Sequence, residues 1–235
     1  MSTFASMRII VADQCRRYFR ASEELAHHPS DHGYASTPGL LGGGLGSRSL
    51  FTPRLTLRWM ASSDAERLSA FASDPLLLQK TETIPYPYDV PAAHEWIDEA
   101  EDLRARGAAY RFAIEERLTQ QFVGVSALMM LDRGVAELGY WLGRDYWGQG
   151  FGREAVAATI AFGKDILKLR LIQAVVYSEN TASVAVLRGL GFEEHAFETI
   201  NVPARGGARL VRRFVSDLTK DPELSNVLPF SGKVA

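Results

Sequence analysis

One stretch of this 235-residue chain constrains its fold more than any other: ELGYWLGRDYWGQGFGREAVAATIAFGKDILKLRLIQAVVYSENTASVAVLRGLGF, from Glu137 to Phe192. The run over 135–142 reads as a strand and leads into a turn with three glycines in five residues, Gly148, Gly150 and Gly152. A helical stripe follows on Ala155, Thr159, Phe162 and Ile166. An apolar strand over 171–176 comes next, then a short helix opened by Asn180 and closed near Gly191. The first N–H groups of a helix have no partner within it. A glycine turn before such a helix lets a phosphate approach them, aided by the helix dipole. Arg144 and Arg153 lie close enough to add positive charge.

Topology follows from the connections. Runs over 110–115, 122–130 and 135–142 are joined by short polar turns at 118–121 and 132–134, which predicts an antiparallel meander. The strand over 171–176 follows a helix and should run parallel to the strand before it. Upstream, Leu55, Leu57 and Trp59 alternate on one face of a strand over 54–60. Ser62 or Ser63 should cap a helix over 64–72, ended by Pro75. The proline-studded loop over 84–91 reads as irregular. Ala93, Trp96, Ile97, Ala100 and Leu103 form an amphipathic helical stripe, stopped at Gly107. A hairpin over 192–202 and 210–215, with the loop VPARGGAR, closes the pattern. A dinucleotide-binding unit competes for the glycine turn, and Glu179 stands where a ribose-binding acid belongs. Against it, the spacing is GxGxG rather than GxGxxG, and no further βαβ units follow.

Composition sets the outer bounds. Residues 27–49 are rich in Gly, Ser and Pro and hold too little apolar surface to offset their ordering entropy. Residues 1–50, with a candidate helix over 7–25, therefore read as a flexible arm, 51–216 as the functional domain, and 217–235 as a loosely ordered tail. A net charge of −2 gives no nucleic-acid footprint. Cys15 is the only cysteine, and the five histidines show no HxxxH or HExxH spacing, so no metal site is expected. No apolar run approaches the roughly 20 residues of a membrane span. The apolar run over 9–12 is too short for a secretory signal, which favours the cytoplasm.

Tyr146-Trp147-Gly148-Gln149-Gly150-Phe151-Gly152-Arg153-Glu154-Ala155 resembles the acetyl-CoA loop of the GNAT N-acetyltransferases, in particular their RimJ/RimL-like, ribosomal-protein alanine N-acetyltransferase branch. The family pattern is R/Q-x-x-G-x-G/A, and Trp147 occupies its first position here. Asn180-x-x-Ser183 followed by Leu190-Gly191-Phe192 resembles the second family motif. Thr52 to Arg58 and Glu95-Trp96 resemble the opening strand and the acceptor-side helix. The likeness covers about residues 52–215. It implies an α/β (α+β) domain with a mostly antiparallel central sheet, flanked by helices and splayed open at the cofactor between the strand ending at Leu142 and the one starting at Leu171.

The resemblance also implies a placement for acetyl-CoA. Gly148, Gln149, Gly150, Phe151, Gly152 and Arg153 would hold the diphosphate. The backbone of Tyr140, Trp141 and Leu142 would pair with pantetheine, with an N–H near Trp141 or Leu142 as oxyanion donor. Asn180 and Ser183 would face the pantetheine or sulfur end, and Trp96 the acceptor.

Glu137 is the preferred catalytic base, acting through water, with Glu82 and Glu95 as lesser candidates. Many GNAT enzymes carry a proton-donating tyrosine seven residues after the motif asparagine. Leu187 stands there, which leaves Ser183 or a water. Arg205 and Arg209, with Arg212 and Arg213, form a basic cluster that is either a solvated hairpin or a rim for acidic groups on the acceptor. The implied reaction is N-acetylation of a primary amine, foremost a protein N-terminal α-amine. A small amine or a non-catalytic acyl-CoA-binding role are the alternatives. No nucleic-acid or membrane partner is implied, and the chain would act as a monomer or a homodimer.

Overall fold

The computed structural model describes residues 49–220 apart from 82, 83 and 133. The expected arm over 1–48, including its candidate helix, and residues 221–235 lie outside the described residues. Eight strands form one sheet: β1 Leu50–Phe51, β2 Leu55–Trp59, β3 Ala109–Glu116, β4 Gln121–Asp132, β5 Val135–Leu142, β6 Leu171–Tyr177, β7 Glu193–Val202 and β8 Gly207–Asp217. Their spatial order is β1-β2-β3-β4-β5-β6-β8-β7. Every pairing is antiparallel except β5 with β6. The helices are α1 Ala65–Ala72, α2 Pro75–Leu78, α3 Val90–Ala105, α4 Phe151–Asp165 and α5 Thr181–Gly189.

The one parallel pairing positions the site. β5 and β6 share only three rungs, ending at Glu137↔Gln173. Beyond that rung β5 continues to Leu142 paired with β4, while β6 continues to Tyr177 paired with β8. The sheet therefore opens into a V, as the family resemblance implies. The edges it exposes are the backbone of 138–142 and of 174–177.

Two packed layers brace the V. On one face α4 lays Phe162 against Phe112 (ring centroids 5.1 Å) and Tyr110 (5.5 Å), and Trp59 stacks on Phe112 at 4.6 Å. The fully buried rings of Tyr110, Phe112 and Phe162 each contribute about 1.5–3 kcal/mol. A buried hydroxyl pair, Ser126 to Thr159 at 2.7 Å, joins β4 to α4, with Thr159 donating to the Ala155 carbonyl. On the other face α1 and α3 bury Leu68, Ala72, Ala93 and Ile97 against Ala113, Phe122 and Val125 of β3 and β4.

Local chemistry moves several boundaries. Neither Ser62 nor Ser63 caps the first helix. A 3-10 turn over Ser62–Asp64 precedes α1, and Asp64 accepts the Ala61 N–H at 2.9 Å. Arg58 draws Asp64 inward through two hydrogen bonds of 2.8 and 2.9 Å, which also hold Arg58 firmly protonated. The proline loop is irregular only to Asp89. Asp89 accepts the Ala92 N–H at 2.9 Å, and Val90 and Pro91 open α3, where a missing N–H costs nothing. At the far end β8 runs through Asp217, Leu218 is buried, and its N–H donates to Arg170.

Candidate active site

The open edge of β5 can be read from its ladder. Gly143 N–H donates to the Val123 carbonyl at 2.9 Å, in register with Trp141↔Val125 and Leu142↔Gly124. In an antiparallel ladder bonded residues alternate. Residues 139, 141 and 143 therefore bond β4, and the backbone groups of Leu138, Tyr140 and Leu142 point into the V. The Leu142 carbonyl accepts the Trp147 indole N–H at 2.8 Å. The Tyr140 N–H and carbonyl and the Leu142 N–H thus face the opening. Of the two amides expected near the oxyanion position, that of Leu142 faces the V and that of Trp141 faces β4.

The glycine turn sits at the mouth. Gly148 and Gly150 have φ of +73° and +81°, conformations open to glycine at little cost, and both are exposed. Gly150 is the N-cap of α4. At Gly152 a Cβ would lie 3.2 Å from the Tyr140 ring, so the glycine lets α4 close onto β5. Arg54 donates to the Gln149 carbonyl at 2.8 Å. In a trans peptide N–H and C=O point oppositely, so the Gly150 N–H faces away from Arg54. The Gln149 side chain donates to the Asp145 carbonyl at 2.7 Å, and Phe151 is buried beneath Arg54, leaving both residues only backbone to offer. Arg153 donates to the Gly189 carbonyl at 3.0 Å and ties α4 to the end of α5.

An anchor that sequence reading missed holds this turn. Glu154 accepts from Thr52 Oγ1 at 2.6 Å, from the Arg54 N–H at 2.8 Å and from Arg54 Nε at 2.7 Å. Burial pushes the Glu154 carboxyl up, but the hydrogen bonds from Thr52 and Arg54 outweigh it and hold the group below the usual glutamate range. Residues about a hundred positions apart meet here, and nothing local in either segment signals it.

Asn180 caps α5 as expected, its Oδ1 accepting the Ser183 N–H at 3.3 Å. Ser183 Oγ in turn accepts from the Tyr140 hydroxyl at 3.2 Å. Burial raises the Tyr140 pKa and Ser183 opposes it only in part, so the phenol stays protonated. This bridge from β5 to α5 is the second contact that sequence reading missed. Strand alternation alone puts Tyr140 on the α4 face. Leu187 is fully buried, so the position of the usual family tyrosine faces the core.

Glu137 occupies the apex of the V, on the face opposite Tyr140, and accepts from Gln173 Nε2 at 2.9 Å. Glu137 and Ser183 therefore approach the V from opposite faces. At a rise of about 3.3 Å per residue, the apex lies roughly 10 Å along β5 from Tyr140. Trp141 and Trp96 border the same apolar cluster, and Arg111 lies over the Trp96 ring at 4.3 Å while bonding Glu99 at 2.9 Å. Glu95 is exposed on α3, and Glu82 lies outside the described residues.

Arg205 and Arg209 both bond within the protein. Arg205 donates to the carbonyls of Leu78 (2.6 Å), Thr81 (3.0 Å) and Ile84, tying those residues to the hairpin. Arg209 donates to the Arg205 carbonyl at 3.1 Å and to Glu179 at 3.0 Å. The loop over 203–206 folds back in a short 3-10 turn, and its carbonyls and those of Leu78, Thr81 and Ile84 absorb the guanidinium donors.

The Acetyltransferase (GNAT) domain family matches residues 54–193. Among relatives, the uncharacterized N-acetyltransferase p20 of Bacillus licheniformis is 37% identical over 174 residues, covering 73% of this chain and 96% of p20. A provisionally assigned ribosomal-protein-serine acetyltransferase from Vibrio cholerae superposes with a TM-score of 0.62 at 27% identity, over 72% of this chain and 97% of its own. Mycobacterium smegmatis RimJ, solved with CoA-disulfide, gives 0.67 at 23% identity, over 75% of this chain and 88% of its own, a likeness of fold. Among the described residues no helix is long and apolar enough to cross a membrane. With the family match spanning most of the chain and the V-shaped sheet beside its glycine turn, the chain belongs to the GNAT acetyltransferases and is an N-acetyltransferase.

Proposed function

We propose that the chain transfers acetyl from acetyl-CoA to a protein N-terminal α-amine. The observation that carries the reading is the open β5 edge, with the Tyr140 N–H and carbonyl and the Leu142 N–H turned into the V beside the exposed turn at Gly148 and Gly150. The diphosphate would rest on the N–H groups of 148–153, with Arg153 beside it, and pantetheine amides would continue the sheet along β5. Asn180 shapes the start of α5 where pantetheine would pass. The RimJ structure solved with CoA-disulfide has the same fold, which supports the placement.

Acetyl-CoA supplies the reactive thioester; the protein's part is positioning and proton handling. An N–H of the open β5 edge would stabilise the tetrahedral oxyanion. Glu137, through water, takes the proton of the attacking amine. Ser183 gives a proton to the departing thiolate. Because Tyr140 donates to Ser183 Oγ, the Ser183 proton is left for another acceptor. Trp96 would border the acceptor.

The acceptor class follows from proton supply. An α-amine of pKa about 7.8 is roughly 14% neutral at pH 7, and a lysine of pKa about 10.4 roughly 0.04%. One modest carboxylate suits the former. The test is CoA release with short peptides that differ only in whether the N-terminus is free or blocked, each with an internal lysine. Turnover of the free peptides alone is expected. Turnover of blocked peptides, or of polyamines in their place, would overturn the acceptor assignment.

A further inference from the structure

Glycine inside a strand has three ordinary causes: a φ that other residues avoid, a neighbour too close for a Cβ, or a molecule that approaches the backbone. Gly139, in the middle of β5, has neither of the first two. Its φ is not in the positive range, and a Cβ there would meet no described atom within 4 Å. Other glycines show what the usual causes look like. At Gly124 on neighbouring β4 a Cβ would lie 2.3 Å from the Trp141 carbonyl oxygen, and Gly148 and Gly150 have positive φ. Among the described residues Gly139 is the one glycine that combines an ordinary φ with empty space.

The place of that space is specific. Strand alternation turns a Cβ at 139 to the face of Glu137 and Trp141, away from α4 and the glycine turn. Across the sheet Gly139 pairs with Ala127, which pairs with Arg111. Ala127 and Gly139 are half-buried, whereas Leu128 and Leu138 on the opposite face are buried. A floor of two small residues is thus left uncovered in the middle of the sheet. It lies just past the rung where β6 departs, between the Glu137 carboxylate and the Trp141 ring.

We propose that Gly139 determines acceptor specificity: the carbon that bears the attacking amine, and the substituents on it, pass over Gly139 and Ala127 to reach the thioester in the V. The inference rests on reading the V as the thioester site. Glycine at 139 leaves room for an amine on a substituted carbon, as in a peptide terminus. A β-branched side chain there fills the passage from below while leaving the α4 face untouched.

The test compares two ligands on the full chain by calorimetry: acetyl-CoA, and a stable conjugate in which the CoA sulfur is joined through a –CH2–CO– bridge to the α-amine of alanine amide. In Gly139→Val, acetyl-CoA affinity should stay within about twofold while the conjugate weakens at least about tenfold, the scale of an overpacked contact. Gly139→Ala should keep its Tm and show a smaller loss on the conjugate alone. Equal weakening of both ligands in Gly139→Val would place the cofactor, not the acceptor, over Gly139 and overturn the proposal. Unchanged binding of both would do the same, as would a lowered Tm in Gly139→Ala, which would show the space is not open. Failure of the folded wild type to bind acetyl-CoA is a separate outcome that removes the cofactor reading itself, and this proposal with it.

Discussion

The two faces of the V are built from different material. On the α4 face most groups at the opening are backbone from one continuous segment: the β5 edge at Tyr140 and Leu142, the glycine turn, and the first turn of α4, with the Tyr140–Ser183 pair as the side-chain exception. On the opposite face they are side chains gathered from distant segments: Arg111 of β3, Trp96 of α3, Glu137 and Trp141 of β5, and Gln173 of β6. The hairpin arginine Arg205 reaches a carbonyl 127 positions earlier to hold the loop beside them. A backbone site can be kept with any side chains that leave it exposed, and it suits a cofactor that does not change. A side-chain site can be altered one residue at a time, and it suits an acceptor that differs among relatives.

Substitutions can sharpen that contrast. The largest effect is expected from Glu137→Gln on the side-chain face: kcat should fall about 100-fold, in the range of general-base loss, with acetyl-CoA affinity unchanged. A loss of acetyl-CoA affinity instead would show that Glu137 serves the donor side.

Glu154→Ala comes next and probes the anchor of the backbone face. It leaves Thr52 and Arg54 without their acceptor, and about 2 kcal/mol of stability should be lost, read as a lower Tm. The pH dependence has a definite sign. The folded pKa of Glu154 lies below its unfolded value, so its contribution is complete above the unfolded value of about 4.3 and fades as pH falls through the folded one. Acid unfolding of Glu154→Gln should accordingly be less steep than that of the wild type. Parallel acid curves would mean the anchor contributes no net stability.

Ser183→Ala should cost about tenfold in kcat, and Tyr140→Phe less, with both losses smaller for an acetyl thioester whose thiol is more acidic than CoA. If the losses do not depend on the leaving thiol, Ser183 is not the proton donor. The smallest effect is expected at the hairpin. Arg205→Ala should lose about 1 kcal/mol and speed tryptic cleavage after Lys80, raising the acceptor KM equally for neutral and acidic acceptors. A KM change confined to acidic acceptors would restore Arg205 to a recognition role.

The same contrast explains what was legible in the sequence. The strand, glycine turn and helix over 135–165 are encoded by residues adjacent in the chain, so their order and the parallel β5–β6 pairing follow from local pattern and connection length, whereas the opening beyond it followed only from the family resemblance. Asn180 as the cap of α5 was equally local. The contacts that needed the third dimension were not legible. Glu154 with Thr52 and Arg54, Tyr140 with Ser183, and Arg205 with the carbonyls of Leu78, Thr81 and Ile84 each join segments with no shared pattern. Arginines at a Gly-rich loop look free in sequence, because backbone carbonyls, the acceptors that occupy them here, are present at every residue. The start of α3 was misplaced because Pro91 reads as a breaker, although proline is at home in a first helical turn.

The central claim is that a cofactor diphosphate rests on the backbone of the turn at Gly148–Arg153. It is tested most directly by calorimetric titration of the wild type and Gly150→Glu with acetyl-CoA, with NAD as control. Gly150 has a φ of +81°, and its N–H faces away from Arg54. A side chain and a negative charge there should abolish binding; because the positive φ strains any side chain and a Cβ would lie 3.3 Å from Arg54 Nη2, the Tm of the variant is read beside it. Micromolar acetyl-CoA binding by the wild type, absent for NAD and lost in Gly150→Glu, is the result this account predicts. Equal acetyl-CoA affinity in a folded Gly150→Glu, or no binding by the wild type, would contradict it.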